Sequence, residues 1–97
     1  MPRHDDPEKM ARMNRWLRTV SAELKLPHDT IEKVQGPLLQ LISTVAHGPS
    51  RPGAPLTAFL VGYLAASDPS ADIDDVVARL ELRAKEFVAS EGTVTRS

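Results

Sequence analysis

A chain of 97 residues has room for one domain of ordinary size and excludes a Rossmann unit, a barrel or a two-domain enzyme. Hydrophobic residues make up 41% but aromatic ones only 4%, so the core falls to Leu, Val, Ile, Met and Ala, a composition suited to packed helices. Twelve Lys and Arg against thirteen Asp and Glu, a net charge of -1, argue against the basic surface that non-specific nucleic-acid binding needs, and the lack of cysteine excludes disulfides and thiolate metal sites and suits a cytoplasmic chain.

The N-terminal stretch Met1 to Glu8 has no apolar segment behind Arg3 and does not read as a signal peptide. Asp6 is placed to cap a first helix that starts at Pro7, where a missing N–H costs nothing. Met10, Met13, Leu17, Val20 and Leu24 recur every three or four residues, with Trp16 at the edge of their stripe and Arg12, Arg15 and Arg18 opposite, which predicts an amphipathic helix over 7–24. Leu26-Pro27 ends it.

Asp29 and Glu32 have the spacing of a capping box for a second helical segment. Gly36-Pro37 is expected to interrupt that segment, because the Pro37 ring would clash with the Lys33 carbonyl, which leaves a short helix over 29–35 and another over 37–47. Leu38, Leu39, Leu41, Ile42, Val45 and Ala46 cover more than half the circumference of the latter and predict a mostly buried helix. From Gly48 to Pro55 the density of Pro and Gly precludes regular structure, with Gly48 expected as a left-handed helix cap and Pro55 in the first turn of the next helix.

Residues 55–67 carry no charge. Leu56, Phe59, Leu60 and Tyr63 fall on one side, and Ala58, Gly62, Ala65 and Ala66 on the other, which predicts a central helix whose small side, Gly62 included, admits a neighbouring backbone. Asp72 is placed to cap a last helix over 72–90, on which Ile73, Val76, Val77, Leu80, Ala84, Phe87 and Val88 form one stripe, with Leu82 exposed opposite. Glu91 to Ser97 reads as a frayed tail. The expectation is an all-α fold, one domain over 1–97 with an ordered core over 7–90, a compact bundle of four main helices with the second interrupted at Gly36-Pro37. No run is long and apolar enough to span a bilayer.

The chemical inventory is thin. His4, His28 and His47 lie far apart with no paired ligand spacing, so no metal site and no metal cofactor is expected. Asp72, Asp74 and Asp75 are accounted for by the dipole of the helix they begin. Ser43, Ser50, Ser67 and Ser70 have neither a glycine-bounded elbow nor a phosphate-cradling loop, and no catalytic residue is assigned. The Arg12, Arg15, Arg18 row is where any soluble amphipathic helix puts its Arg, with an acidic protein surface as the alternative reading.

The connection holding His47, Ser50 and Arg51 is the strongest candidate site. Arg51 is the sole charge between Lys33 and Asp68, prolines flank it, and the first amides of the following helix lie beside it. Two readings stand side by side. In one, Arg51, Ser50, His47 and Thr57 receive a partner's carboxylate or a small anion; in the other, Arg51 satisfies helix-terminal carbonyls and His47 caps its own helix.

The run Asn14-Arg15-Trp16-Leu17, followed by Val45 to Tyr63 with its Ala-His-Gly-x-x-Arg-Pro-x-Ala-Pro-Leu-Thr-x-Phe-Leu-x-Gly block, resembles a family of small actinobacterial domains of unknown function. These occur alone or attached to a protein similar to the guanylyltransferase of molybdenum cofactor synthesis. The resemblance covers most of residues 10–90 and falls on Trp16, His47, Gly48, Arg51, Pro52, Ala54, Pro55, Leu56, Thr57, Phe59, Leu60 and Gly62. It implies an accessory role near molybdenum-cofactor enzymes. Together these readings favour a non-catalytic helical adaptor that binds a protein partner or self-associates through the connection around Arg51, aided by Leu82. The alternative is a module that holds the anionic group of a small molecule or cofactor at Arg51, with Trp16 lining the pocket.

Overall fold

The computed structural model describes the backbone of residues 7–96 and the side chains of residues 7–91; the Asp6 cap and His4 lie outside them. The described residues are all-α, with α1 at Pro7–Glu23, α2 at Asp29–Glu32, α3 at Gln35–His47, α4 at Gly53–Ser67 and α5 at Ile73–Arg96, and no strand among them. The chain divides between Lys33 and Val34 into two compact units.

In the first unit, Met10, Met13, Leu17 and Val20 are half-buried while Arg12, Arg15 and Arg18 are exposed, as the periodicity predicts. Leu24 departs from the stripe and is exposed, because α1 ends at Glu23. Lys25 takes a left-handed φ of 59°, its N–H donates to the Ala22 carbonyl, and the Leu26 N–H donates to that of Ser21. That bonding pattern closes a helix C-terminus with a residue where glycine is usually found. Asp29 does not cap α2: it lies within the helix, no side chain caps its start, and Asp29 and Glu32 instead face Lys33 (4.0 Å) and His28 Nε2 (3.3 Å) one turn away.

The interruption before α3 falls at Lys33-Val34, ahead of Gly36-Pro37. With Val34 as N-cap, Pro37 is the third residue of α3, within the first turn, where its missing N–H would have had no helical acceptor. Proline thus stands in the first turn of this helix, close to the start expected at 37, and the break lies three residues ahead of the expected one.

The second unit is organised around Leu41, Val45, Ala54, Val61, Val76 and Val77, all buried, with Leu38, Ile42, Ala46, Ile73 and Leu80 packed on them. α5 is capped as predicted, the Asp72 carboxylate accepting from the Asp74 (3.1 Å) and Asp75 (3.4 Å) amides. Its stripe is buried as far as Ala84, whereas Phe87 and Val88 are exposed and the helix runs on past Ser90 to Arg96. Gly48 is not left-handed; it is needed for close approach, since a Cβ there would lie 3.0 Å from the Thr44 carbonyl oxygen and 3.2 Å from Val88 Cγ2.

The placement of α4 corrects the expectation most. Of its small side, Ala58 and Ala65 pack inward half-buried, beside buried Ala54 and Val61 and half-buried Thr57, whereas Ala66 is exposed. Gly62 has open space where its Cβ would stand, so it admits no neighbouring backbone. Leu56, Phe59, Leu60 and Tyr63, expected in the core of a central helix, are 63–66% exposed.

Candidate functional site

The α3–α4 connection is built from local bonds. His47 Nδ1 lies 2.8 Å from the Ser43 carbonyl oxygen, which can only accept, so Nδ1 carries the proton and His47 ties down the last turn of its own helix. The same nitrogen is 3.4 Å from Ser43 Oγ; already protonated for the carbonyl, it is no base for that hydroxyl. The Gly48 and Ser50 amides both donate to the Val45 carbonyl, turning the chain sharply out of α3.

The start of α4 is closed in the same way. Ser50 Oγ accepts from the Gly53 amide at 3.0 Å, the Arg51 carbonyl accepts from the Ala54 amide at 3.2 Å, and Pro52 and Pro55 have no N–H to give. A Cβ at Gly53 would stand 3.0 Å from Ser50 Oγ, so the glycine eases this close approach. Thr57 Oγ1 donates to the Gly53 carbonyl at 2.8 Å. The amides on which the sequence reading relied for holding an anion are therefore already engaged.

Arg51 is exposed, and among the described residues its guanidinium makes no hydrogen bond or ion pair. It does not cap helix-terminal carbonyls; His47 does that for α3. The connection thus brings His47, Ser50, Arg51 and Thr57 onto one short stretch, with His47 and Ser50 holding the backbone and Arg51 left available. Trp16 lies on α1 in the first unit and is 62% exposed.

Two grooves lie near the connection in the second unit. One, of about 420 Å3, runs between α4 and α5 along Thr57, Leu60, Val61, Leu64 and Leu80, with Arg79 at its rim held 3.3 Å from Asp75. The other, of about 220 Å3, is lined by Thr44, Gly48, Pro49, Ala84, Lys85 and Val88. Arg51, Ser50 and His47 line neither. What adjoins Arg51 along the chain is the outward face of α4, where Phe59 and Tyr63 stack one turn apart with ring centroids at 6.3 Å. At the far end of α4, the Asp68 carboxylate accepts from the Ser70 hydroxyl (2.6 Å) and amide (3.1 Å), and these bonds hold its pKa below the ordinary aspartate value.

A family model described as a domain of unknown function (DUF6457) matches residues 8–92, nearly the whole chain. The chain belongs to the DUF6457 family. No curated protein and no solved structure matches it. Both the α3–α4 connection and the outward face of α4 fall within the DUF6457 match. No described helix is long and apolar enough to cross a membrane, and among the described residues no group of three or more His, Cys, Asp or Glu is placed to hold a metal ion.

The outward face of α4 is what sequence reasoning missed. A signal for it was present: the run from Pro52 to Ser67 is uncharged, yet its hydrophobicity is spread almost evenly around the helix axis, more apolar surface than one core-facing side needs. Leu82, expected exposed, is so at 58%.

Proposed function

We propose that this DUF6457 chain is a non-catalytic, cytoplasmic accessory domain that binds a protein through the outward face of α4 and the connection carrying Arg51. The observation that carries this reading is the exposure of Leu56, Phe59, Leu60 and Tyr63 together on one helix face. At two-thirds exposure of side chains that each carry on the order of 150–250 Å2, they present roughly 500 Å2, the size of the largest apolar patches on monomers, which are often functional. The unpaired guanidinium of Arg51, just ahead of α4 in the chain, adds a polar contact, since a carboxylate docking on it gains a charge-assisted bond. A protein surface suits this geometry better than a small anion, because the amides at the start of α4 are engaged and Arg51 lines neither neighbouring groove. The resemblance to actinobacterial domains attached to a guanylyltransferase-like protein makes enzymes of molybdenum cofactor synthesis the first partners to try.

The test is affinity capture from a lysate of the host with the wild type beside Arg51→Ala and Phe59→Glu, together with thermal unfolding of all three. Both variants are expected to lose the captured protein while stability changes by no more than about 0.5 kcal/mol, as for ordinary surface substitutions. A partner retained at wild-type strength by both variants would overturn the reading.

A further inference from the structure

The exposed side of α1 carries charges that the chain does not answer. Lys9, Arg12, Arg15 and Arg18 are exposed, and among the described residues none of them makes an ion pair. Lys33, Arg79 and Arg83, by contrast, each have an acidic partner three or four positions away. Arg15 and Arg18 have no acid within a turn on either side, and Arg15 stands between two cations, Arg12 and Arg18, each one turn from it. Like charges that close on a helix repel each other. Trp16, the single tryptophan of the chain, lies one turn beyond Arg12 and is 62% exposed. We infer that this side of α1 is a docking surface for an acidic helix of another protein, whose carboxylates meet the row from Lys9 to Arg18 and whose apolar positions cover the Trp16 indole. The surface belongs to the first unit and the outward face of α4 to the second, and neither reading depends on the other.

The order of charges selects a protein as the occupant. Glu8 and Glu23 stand at the two ends of α1 on the same side as Arg12, so the order along the helix is acid, cations, acid. A nucleic acid or an anionic bilayer is negative throughout and would set like charge against both glutamates, whereas a protein can answer each sign in turn. The residue types agree. Arg and Trp are enriched at protein interfaces and Lys is depleted, and three of these four cations are Arg, whose planar fork takes a carboxylate through two bonds. Lys9, Arg12 and Arg15, with Glu8 and Ala11, line a depression of about 410 Å3 in which such carboxylates can sit. The spacing selects a helix. Residues three apart form one inclined ridge, here rising about 13 Å, and such a ridge packs into the groove between the four-residue rows of a second helix, the two axes crossing at about 20°. Carboxylates four positions apart on the partner therefore flank this ridge.

Because Trp16 is the only tryptophan, its emission reports this surface and no other. The probe is a capped peptide of five Glu-Ala-Ala-Ala repeats, helix-forming and free of aromatic residues, titrated into the full chain at low salt. The expected result is a blue shift of Trp16 emission with a Kd below about 1 mM that weakens as salt is added. The same peptide with Gln in place of Glu should bind at least about tenfold more weakly. Arg12→Glu and Arg15→Glu should each weaken binding about tenfold, and Arg15→Gln by a smaller factor. All these positions are exposed, so circular dichroism should show each variant folded. Phe59→Glu should bind the peptide as the wild type does, so a failure here and a failure of the α4 reading are told apart. No shift up to 1 mM peptide, or a shift indifferent to both Arg reversals, overturns the inference. A larger shift with oligothymidylate or with phosphatidylserine vesicles than with the peptide overturns it as well, since the occupant would then be a nucleic acid or a membrane.

Discussion

The two sides of α4 contrast sharply. Inward lie Ala54 and Val61 with Ala58, Ala65 and Thr57; outward lie Leu56, Phe59, Leu60 and Tyr63. The helix buries its small side chains and exposes its large ones, the reverse of what area-proportional burial favours in an isolated fold. On α5 the ordinary arrangement holds, with Val76, Val77 and Ala84 buried and Arg79, Leu82 and Arg83 outside. The difference teaches that two helices of one core need not bury their larger side chains alike. α5 turns the larger residues of its first three turns to the core of the second unit, whereas α4 gives that core its smaller ones and leaves its larger apolar area exposed.

The largest expected effect lies on the side of the core that α4 packs against. Leu41 of α3 is 1% exposed, the largest fully buried side chain, and shares its cluster with Ala54 and Val61. Leu41→Ala should cost about 2–5 kcal/mol, the lost transfer energy plus the cavity left behind. Urea unfolding measures it directly. A loss below about 1 kcal/mol would mean that the inward side of α4 does not close a packed core.

Somewhat smaller is the effect of enlarging the inward side itself. Ala54 is 2% exposed, so Ala54→Leu adds three carbons where none fit and should destabilise by about 1–3 kcal/mol despite a good helix propensity. In a domain of this size that is a fall in melting midpoint of roughly 4–8 °C per kcal/mol. A variant melting at the wild-type temperature would show slack at this helix crossing.

Much of the architecture is legible in the residues because periodicity and capping act locally. The Met10 to Val20 stripe, the Asp72 cap and the Ile73 to Ala84 stripe each depend on neighbours within a turn or two, and each stands where the spacing puts it. Pro37 announces a helix start and α3 does start beside it; what the local sequence leaves open is that Val34, three residues earlier, becomes the N-cap. Gly48 misleads, its role being set by Val88, forty positions away. At the connection, the His47 cap is readable from an i to i−4 relation, whereas capture of the Gly53 amide by Ser50 depends on the turn that prolines 49 and 52 impose. The orientation of α4 is the least readable feature. When both sides of a helix are apolar, size alone does not say which meets the core, and here the deciding fact is how little room α3 and α5 leave beside Ala54 and Val61.

Between the two sides stands Gly62, and its substitution sharpens the contrast in the other direction. Were it packed inward, any side chain would clash; with open space at its Cβ position, Gly62→Ala should instead stabilise by about 1 kcal/mol through helix propensity. A lower melting midpoint for this variant would place a neighbour against that flank of α4.

The smallest expected effect falls on the outward side and follows from the same geometry as the largest. Leu60 and Leu41 are chemically identical side chains, 63% and 1% exposed. Most of the Leu60 surface is already in water, so Leu60→Ser forfeits little transfer energy and creates no cavity, and unfolding of the dilute chain should shift by no more than about 0.5 kcal/mol. The comparison becomes informative once a captured partner is added. Whatever binds only the folded form adds stability by mass action, so a protein that covers this face raises the melting midpoint of the wild type while Leu60→Ser does not follow. A loss of 2 kcal/mol or more in the dilute variant would instead mean that Leu60 is covered within its own chain, and the distinction between the two sides of α4 would fall with it.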